Sequence, residues 1–170
     1  RKGRHATKEE LVSLTVSPPP TAAESPQPAL SLCLIAKNEE VMLPACLASV
    51  RDVVDEMIVV DTGSTDKTKL IAEQMGATVL DFEWIDDFAA ARNFALDASR
   101  GRWVLLLDAD ERLSAGSEKA IRAAIQRTDL DCGLLPLHSA DTVNANPKDV
   151  LNGTRRLGEP TLLPRLFRRT

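Results

Sequence analysis

A chain of 170 residues, 44% hydrophobic and 27% charged, has the length and apolar content to close a single soluble core. Its formal net charge of -4 argues against a general nucleic-acid-binding surface, which would be basic. No apolar run approaches the roughly 20 residues that cross a bilayer, so the sequence offers no transmembrane segment. The three cysteines, Cys33, Cys46 and Cys132, suit neither a disulfide framework nor zinc by number and spacing, and a reduced, cytoplasmic setting is expected. With only His5 and His138 present, little material exists for an imidazole metal site. Positive charge gathers at both ends, as Arg1, Lys2, Arg4 and Lys8 and as Arg155, Arg156, Arg165, Arg168 and Arg169. Such clusters read first as solvated faces; the sharper alternative is that the C-terminal arginines approach phosphates or an anionic acceptor. Arg1 in place of an initiator methionine leads to the expectation of a segment cut from a longer protein.

Residues 1–28 hold Pro18, Pro19, Pro20, Pro26 and Pro28, which favour an extended tail or linker, with only a weak helical signal over 8–14. Residues 29–170 are expected to form the folded domain. Residues 31–36 have the length of a buried strand. Asn38, Glu39 and Glu40 then read as a helix start, followed by Leu43, Leu47 and Val50 at helical spacing. A second strand is predicted over 57–60, then a helix through Leu70, Ile71 and Met75 that Gly76 ends. A third strand over 77–80 precedes a helix over 88–98. A fourth strand over 103–107 precedes an amphipathic helix over 117–127. Residues 134–137 and 162–167 read as further strands, with a loop over 139–160. Strands alternating with helices predict an α/β fold with a mostly parallel central sheet, apolar on both faces and covered by helices on each.

In open α/β sheets ligands bind beyond the carboxyl ends of the strands, and the polar clusters fall there. Lys37, Asn38 and Glu39 follow the first strand, Asp61 to Asp66 the second, and Asp108 to Glu111 the fourth. Asp108 and Asp110 would leave a buried strand as neighbours in charge, on one side of an extended segment around small Ala109. A divalent cation relieves their repulsion, and Mg²⁺ needs only one or two carboxylates besides water and phosphates. The plainer reading is a pair of exposed turn acids. Asp61 can accept from a nucleobase imino group or a ribose hydroxyl, or simply close a turn. Gly63 suits a tight turn, with Ser64 or Asp66 capping the next helix. Arg92, beside Ala89, Ala90 and Ala91, can present its fork to a diphosphate or lie idle on a helix surface.

The segments LCLIAKNEE (32–40), IVVDTGSTD (58–66), FAAARNFAL (88–96) and VLLLDADE (104–111) resemble the successive motifs of family 2 glycosyltransferases, which have the GT-A fold. FEWIDDFAAARNFAL with LLLDADERL is similar to the bacterial branch holding peptide S-glycosyltransferases and repeat-fused transferases. The resemblance covers residues 30–115. It implies an inverting transferase that uses a nucleoside diphosphate sugar, of UDP or GDP type, with Mg²⁺ or Mn²⁺. It places Ala36, Asn38 and Glu39 along the nucleoside pocket, Asp61 at the base and Arg92 near the nucleotide. Asp108 would touch ribose or metal-bound water, and Asp110 would be the direct metal ligand; both belong to the metal site. In this branch an Arg-Leu-Phe-Arg stretch precedes a further strand and a His-Glu pair. Residues 165–168 carry that stretch, and the sequence stops at Thr170. The resemblance therefore implies an acceptor part and catalytic base outside this chain, with donor binding but inefficient transfer and with exposed apolar surface favouring self-association. No catalytic base or acceptor is assigned; His138 and Asp141 are polar residues in the right half and nothing more.

Four other readings compete. A nucleotidyltransferase would show a Gly-rich basic loop after its first strand, where Ala36, Lys37, Asn38 and Glu39 stand. A Rossmann dehydrogenase would need G-x-G-x-x-G at that place, and an aspartyl-phosphate hydrolase would put its acid there too. A non-catalytic nucleotide-sugar-binding module shares every motif named above and differs only in turnover.

Overall fold

The computed structural model describes residues 27–142 and 145–169. The weak helical signal over 8–14 and nearly all of the proline-rich segment lie outside the described residues.

Among the described residues eleven elements, numbered in chain order, comprise five helices and six strands, the strands forming one sheet in the order β3-β2-β1-β4-β6-β5. β1 (Leu30–Ala36) is apolar at all but one position and stands between two parallel neighbours, β2 (Glu56–Asp61) and β4 (Trp103–Leu106). β3 (Thr78–Asp81) pairs in parallel outside β2. β6 (Thr161–Arg168) and β5 (Cys132–Leu137) complete the sheet in antiparallel sense. The parallel pairs require crossovers, which α1 (Leu43–Val50), α2 (Thr68–Gln74) and α3 (Phe88–Ala98) supply; α4 (Ser117–Ala124) follows β4.

Helices cover both faces, as the sequence predicts. On one face Leu43, Cys46, Leu47, Val50, Ala72 and Ile121 pack on Leu32, Leu34, Val59 and Leu105. On the other, Ala95 of α3 meets Cys33, Ile58, Val60 and Val104. Ala91 and Ala95 are the two buried residues of α3, so small side chains let this helix lie close to the sheet. Asp87 starts it by accepting from the amides of Ala89 and Ala90 at 2.8 and 3.0 Å.

Several expectations need correction. The helix predicted from Asn38 begins instead at Leu43, with Pro44 in its first turn. Asn38 adopts a left-handed backbone (φ 57°), because residues 38–40 bond to the loop after β2 rather than to a helix ladder. The stretch 139–160 holds a short helix, α5 (Pro147–Leu151), whose first turn Asn146 caps. β5 alternates between exposed and half-buried positions instead of being apolar and covered on both faces. The C-terminal arginines are only in part a solvated face: Arg155 and Arg169 are exposed, while Arg156, Arg165 and Arg168 are half-buried. Arg165 has a side chain only 14% exposed, Arg168 lies 4.7 Å over the Trp103 ring and donates to Leu130 O, and Arg155 and Arg156 reach Asp141 and His138.

At the amino ends of the strands the polar groups close on one another. The buried Ser31 hydroxyl donates to Glu56 Oε2 at 2.7 Å and accepts from the Gly101 amide at 2.8 Å. Glu56 also accepts from Arg100 N and Nε, both at 2.8 Å. Gly101 fits because a Cβ there would stand 2.5 Å from Ser31 Oγ and 2.7 Å from Trp103 O. We expect Gly101→Ala to cost about 2–3 kcal/mol in urea unfolding, through overpacking at backbone that cannot yield. Burial raises the Glu56 carboxyl, but the bonds from Arg100 and Ser31 outweigh it and hold the group below its ordinary 4.5. Its contribution to stability is thus complete above that pH and fades as acid approaches the lower folded-state value. Acid titration of Glu56→Gln, followed by circular dichroism, should show a shallower loss of stability below about pH 4.5 than the parent protein shows.

Candidate functional site

The carboxyl ends of β1, β2 and β4 lie side by side because these strands are parallel neighbours. Asp61 closes β2 and is 1% exposed. Its Oδ1 accepts from the amides of Gly63 and Ser64 at 3.0 and 2.9 Å, which folds the chain back with Gly63 at φ 101°. Its Oδ2 is buried without a hydrogen-bond partner. Leaving a carboxylate oxygen dry and unpaired costs about 1–3 kcal/mol or more, and such a group in a folded protein asks for a donor from outside.

The loop after β2 is stitched to the end of β1. Ala36 O accepts from both the amide and hydroxyl of Thr62. Asn38 N donates to Ser64 Oγ at 2.9 Å, and Asn38 Oδ1 accepts from Thr65 N at 2.8 Å. Glu39 N donates to Thr68 Oγ1 at 2.7 Å, Glu40 N to Asp66 Oδ2 at 3.1 Å, and Lys67 N to Glu40 Oε2 at 3.0 Å. Ser64 therefore braces Asn38 and caps nothing, whereas Asp66 does accept from Thr68 N in the first turn of α2. Ala36, Asn38 and Asp61 thus meet through one rigid loop pair.

The second half of the site is the turn after β4. Trp103, Val104 and Leu105 are fully buried, Ala109 is 5% exposed, and Asp108 and Asp110 emerge into solvent on either side of it. The expected repulsion is answered by arginine. Asp108 Oδ1 accepts from Arg92 Nη2 at 3.3 Å and Oδ2 from Arg165 Nη2 at 2.9 Å. Arg165 also donates to Glu111 Oε1, whose other oxygen accepts from the Asp108 amide at 3.0 Å. Glu111 is 10% exposed; burial raises its carboxyl above the usual range despite the Asp108 amide and the Arg165 charge. Both partners are half-buried at the edge of the turn, so removing one leaves the other poorly solvated. The Arg92 contact, with both side chains nearly half exposed, contributes far less.

Glu39 links the two halves. Its carboxyl is raised first by burial, then by the neighbouring charges of Asp110 and Asp66. With Asp108, Asp110, Glu111 and Arg165 it borders an open cleft of about 1390 Å³. α4 and the β5–β6 pair form the apolar walls, and Leu134 is 58% exposed. Beneath Arg92 a second hollow, between Leu34 and Leu106, measures only about 10 Å³, room for about one water. The open cleft has room for the larger part of a nucleotide-sized ligand, whereas Ala36, Asn38, Asp61 and Arg92 lie outside its lining. His138 and Asp141 border that cleft but are held by Arg156 and Arg155.

Of the sequence-predicted residues, Glu39, Asp108 and Asp110 share the cleft, Arg92 joins through Asp108, and Ala36, Asn38 and Asp61 join through the braced loop. Arg165 and Glu111 are not among the site residues assigned from the sequence. Glu111 stands in the acid cluster after the fourth strand, three residues after Asp108. Arg165 stands among the C-terminal arginines that could meet phosphates, but only the Leu105–Leu166 register brings it to the end of β4. Among the described residues no three His, Cys, Asp or Glu side chains gather as a ready metal cage. The hard oxygen donors of Asp110 and Asp108 nonetheless fit a Mg²⁺-type ion whose remaining ligands are water and phosphate.

Comparison with known proteins agrees with this arrangement. The model of the family "Glycosyl transferase family 2" matches residues 31–168. A TPR repeat-containing protein of Synechococcus elongatus is 50% identical over 98 residues, covering 58% of this chain and 24% of that protein. The SPbeta prophage-derived glycosyltransferase SunS of Bacillus subtilis is 30% identical over 118 residues, 66% of this chain and 28% of SunS. The crystal structure of S. aureus TarS 1-349 superposes with a TM-score of 0.55 at 25% identity, covering 69% of this chain and 37% of that one. Its complex with UDP gives 0.51 at the same identity, over 61% and 34%. The chain thus spans roughly a quarter to a third of these relatives. With the motifs in order, the strand ends converged and the family model matched from Ser31 to Arg168, the chain belongs to glycosyl transferase family 2 and has its GT-A fold.

Proposed function

We propose that residues 29–170 are the donor-binding unit of a metal-assisted, inverting glycosyltransferase that takes a nucleoside diphosphate sugar of UDP or GDP type. The observation that carries this reading is Asp61 Oδ2, a buried acceptor without a donor at the end of β2. The imino N–H of uracil or guanine supplies a donor of the kind this oxygen lacks. TarS, bound to UDP in its crystal structure, supports the choice of nucleotide. Asn38 and Glu39 border the nucleoside, and Arg92 turns its fork to the diphosphate. Asp108 orients ribose, and Asp110, with Asp108, would hold a divalent cation. That cation supplies charge neutralisation on the departing diphosphate. Three free cysteines, two of them buried, accord with a cytoplasmic setting. No helix among the described residues is long and apolar enough to cross a membrane.

Asp61→Asn keeps the acceptor that closes the turn and replaces the unpaired oxygen by an N–H donor, which opposes the base. Calorimetry should show both UMP and UDP weakened about 10- to 100-fold, the scale of a lost hydrogen bond to a charged group. Arg92→Ala should weaken UDP and leave UMP nearly unchanged; equal losses for the two ligands count against its phosphate role.

The metal assignment is tested by Asp110→Ala. Mn²⁺-dependent UDP binding should disappear while thermal unfolding stays unchanged or rises slightly, since an exposed acid leaves a like-charged site. Normal Mn²⁺-dependent affinity in this variant would sink the assignment. A binding module without turnover remains distinguishable from an enzyme by sugar release: a parent protein that binds UDP-sugar with metal and never frees UDP with any acceptor is the module.

A further inference from the structure

Arg165 takes no part in the donor contacts proposed above, yet it is the most enclosed cation of the site. Its side chain is 14% exposed, against 60% for an ordinary surface partner such as Arg127. One nitrogen, Nη2, serves both Asp108 Oδ2 and Glu111 Oε1. Arg92 covers Asp108 Oδ1, and Glu111 Oε2 is spent on the Asp108 amide. Every carboxylate oxygen of Asp108 and Glu111 thus already has a donor. Asp110, exposed, is the acid of this turn that no arginine pairs among the described residues. One solvated carboxylate is a poor Mg²⁺ or Mn²⁺ site by itself, because these ions give up water reluctantly and want several oxygen ligands in fixed geometry.

We propose that Arg165 is a positioning residue, the resident counter-cation of Asp108. It fixes the Asp108 carboxylate and keeps the nucleotide-free site from collecting a divalent cation. It yields Asp108 when a diphosphate arrives, since phosphate oxygens are strong acceptors for the same guanidinium. Cation and nucleotide then enter together. This rests on the donor-site reading for its second half only; the first half concerns the empty acid turn.

The experiment measures free Mn²⁺ by electron paramagnetic resonance as the 170-residue chain is titrated, with and without UDP. The wild type should bind Mn²⁺ weakly alone and at least tenfold more tightly with UDP. In R165M, Mn²⁺ alone should bind at least threefold more tightly, and the gain from UDP should shrink by a similar factor. R165K keeps the charge but not the reach and fixed plane that set Nη2 between two acids, so it should move the same way by a smaller factor, about twofold. R122M breaks the Arg122–Asp55 pair near the amino end of β1 and should leave both quantities unchanged. A purely structural Arg165 lowers the unfolding temperature without moving Mn²⁺ affinity, and that result overturns the proposal. Should R165M fail to fold by circular dichroism, R165K decides: wild-type Mn²⁺ affinity and wild-type UDP coupling in it overturn the idea. Wild-type protein that binds no UDP at any Mn²⁺ concentration sinks the donor site instead, while the nucleotide-free titrations still decide the role of Arg165.

Discussion

The Arg165 guanidinium, shared by Asp108 and Glu111, joins the parallel and antiparallel halves of this fold at the point where the site is built. β6 meets the parallel strands through three register pairs with β4. Just past the last of them Arg165 reaches the acid turn and holds it against β6. Glu111 closes the ring by accepting the Asp108 amide, so the turn geometry, the strand register and the charge balance depend on one another. A half-buried ion pair of this kind gains little net stability over apolar packing, but losing one member leaves a poorly solvated charge at the edge of the cleft. Its value lies in fixing one arrangement of carboxylates.

The two ends of the sheet treat their polar groups in opposite ways. At the amino ends the account closes: Ser31, Glu56, Arg100 and Gly101 satisfy one another, and Asp55 accepts from Ala29 and Leu30 at 2.8 and 3.0 Å. At the carboxyl ends it does not. Asp61 keeps an unpaired buried oxygen, Asp110 stands in solvent, and Glu39 is held among like charges. Unsatisfied groups are rare in folded proteins because they are costly. The one such atom among the described residues, Asp61 Oδ2, lies at the carboxyl end, beside the solvated Asp110 and the like-charged Glu39.

The sequence disclosed the parallel core well because its signals are local. Residues 31–36, 57–60 and 103–107 are short apolar runs; Asp61 and Asp108 directly follow the last two and emerge at the strand ends as predicted, and Glu39 follows the first after Lys37 and Asn38. Asn38 misled for a local reason too: an Asn-Glu-Glu run is good helix-start chemistry, but it is equally good at bonding the amides of a neighbouring loop, which is where those groups went. The failures elsewhere are non-local. Nothing in the spacing of Arg165, Arg168 and Arg169 reveals that antiparallel pairing will bury the first against Glu111 and lay the second over Trp103. The helix at Pro147–Leu151 is too short for periodicity to register, though Asn146 before Pro147 is a cap-and-proline start.

The order of the strands explains why the acids of β1 and β4 face one gap. From β1 the chain steps outward to β2 and then β3, and returns to the other flank of β1 to lay down β4. Connections leaving the carboxyl ends of β1 and β4 therefore diverge, the first toward α1 and β2, the second toward α4. A crevice opens where they part, as in other open α/β sheets. Glu39 lies on one lip and Asp108 to Glu111 on the other, and both border the same cleft. β6 then pairs with β4 on the far side, so its arginine arrives at the second lip rather than the first. The crossover pattern thus brings carboxylates from two directions into one gap, and the antiparallel return of β6 adds the cation that keeps them there.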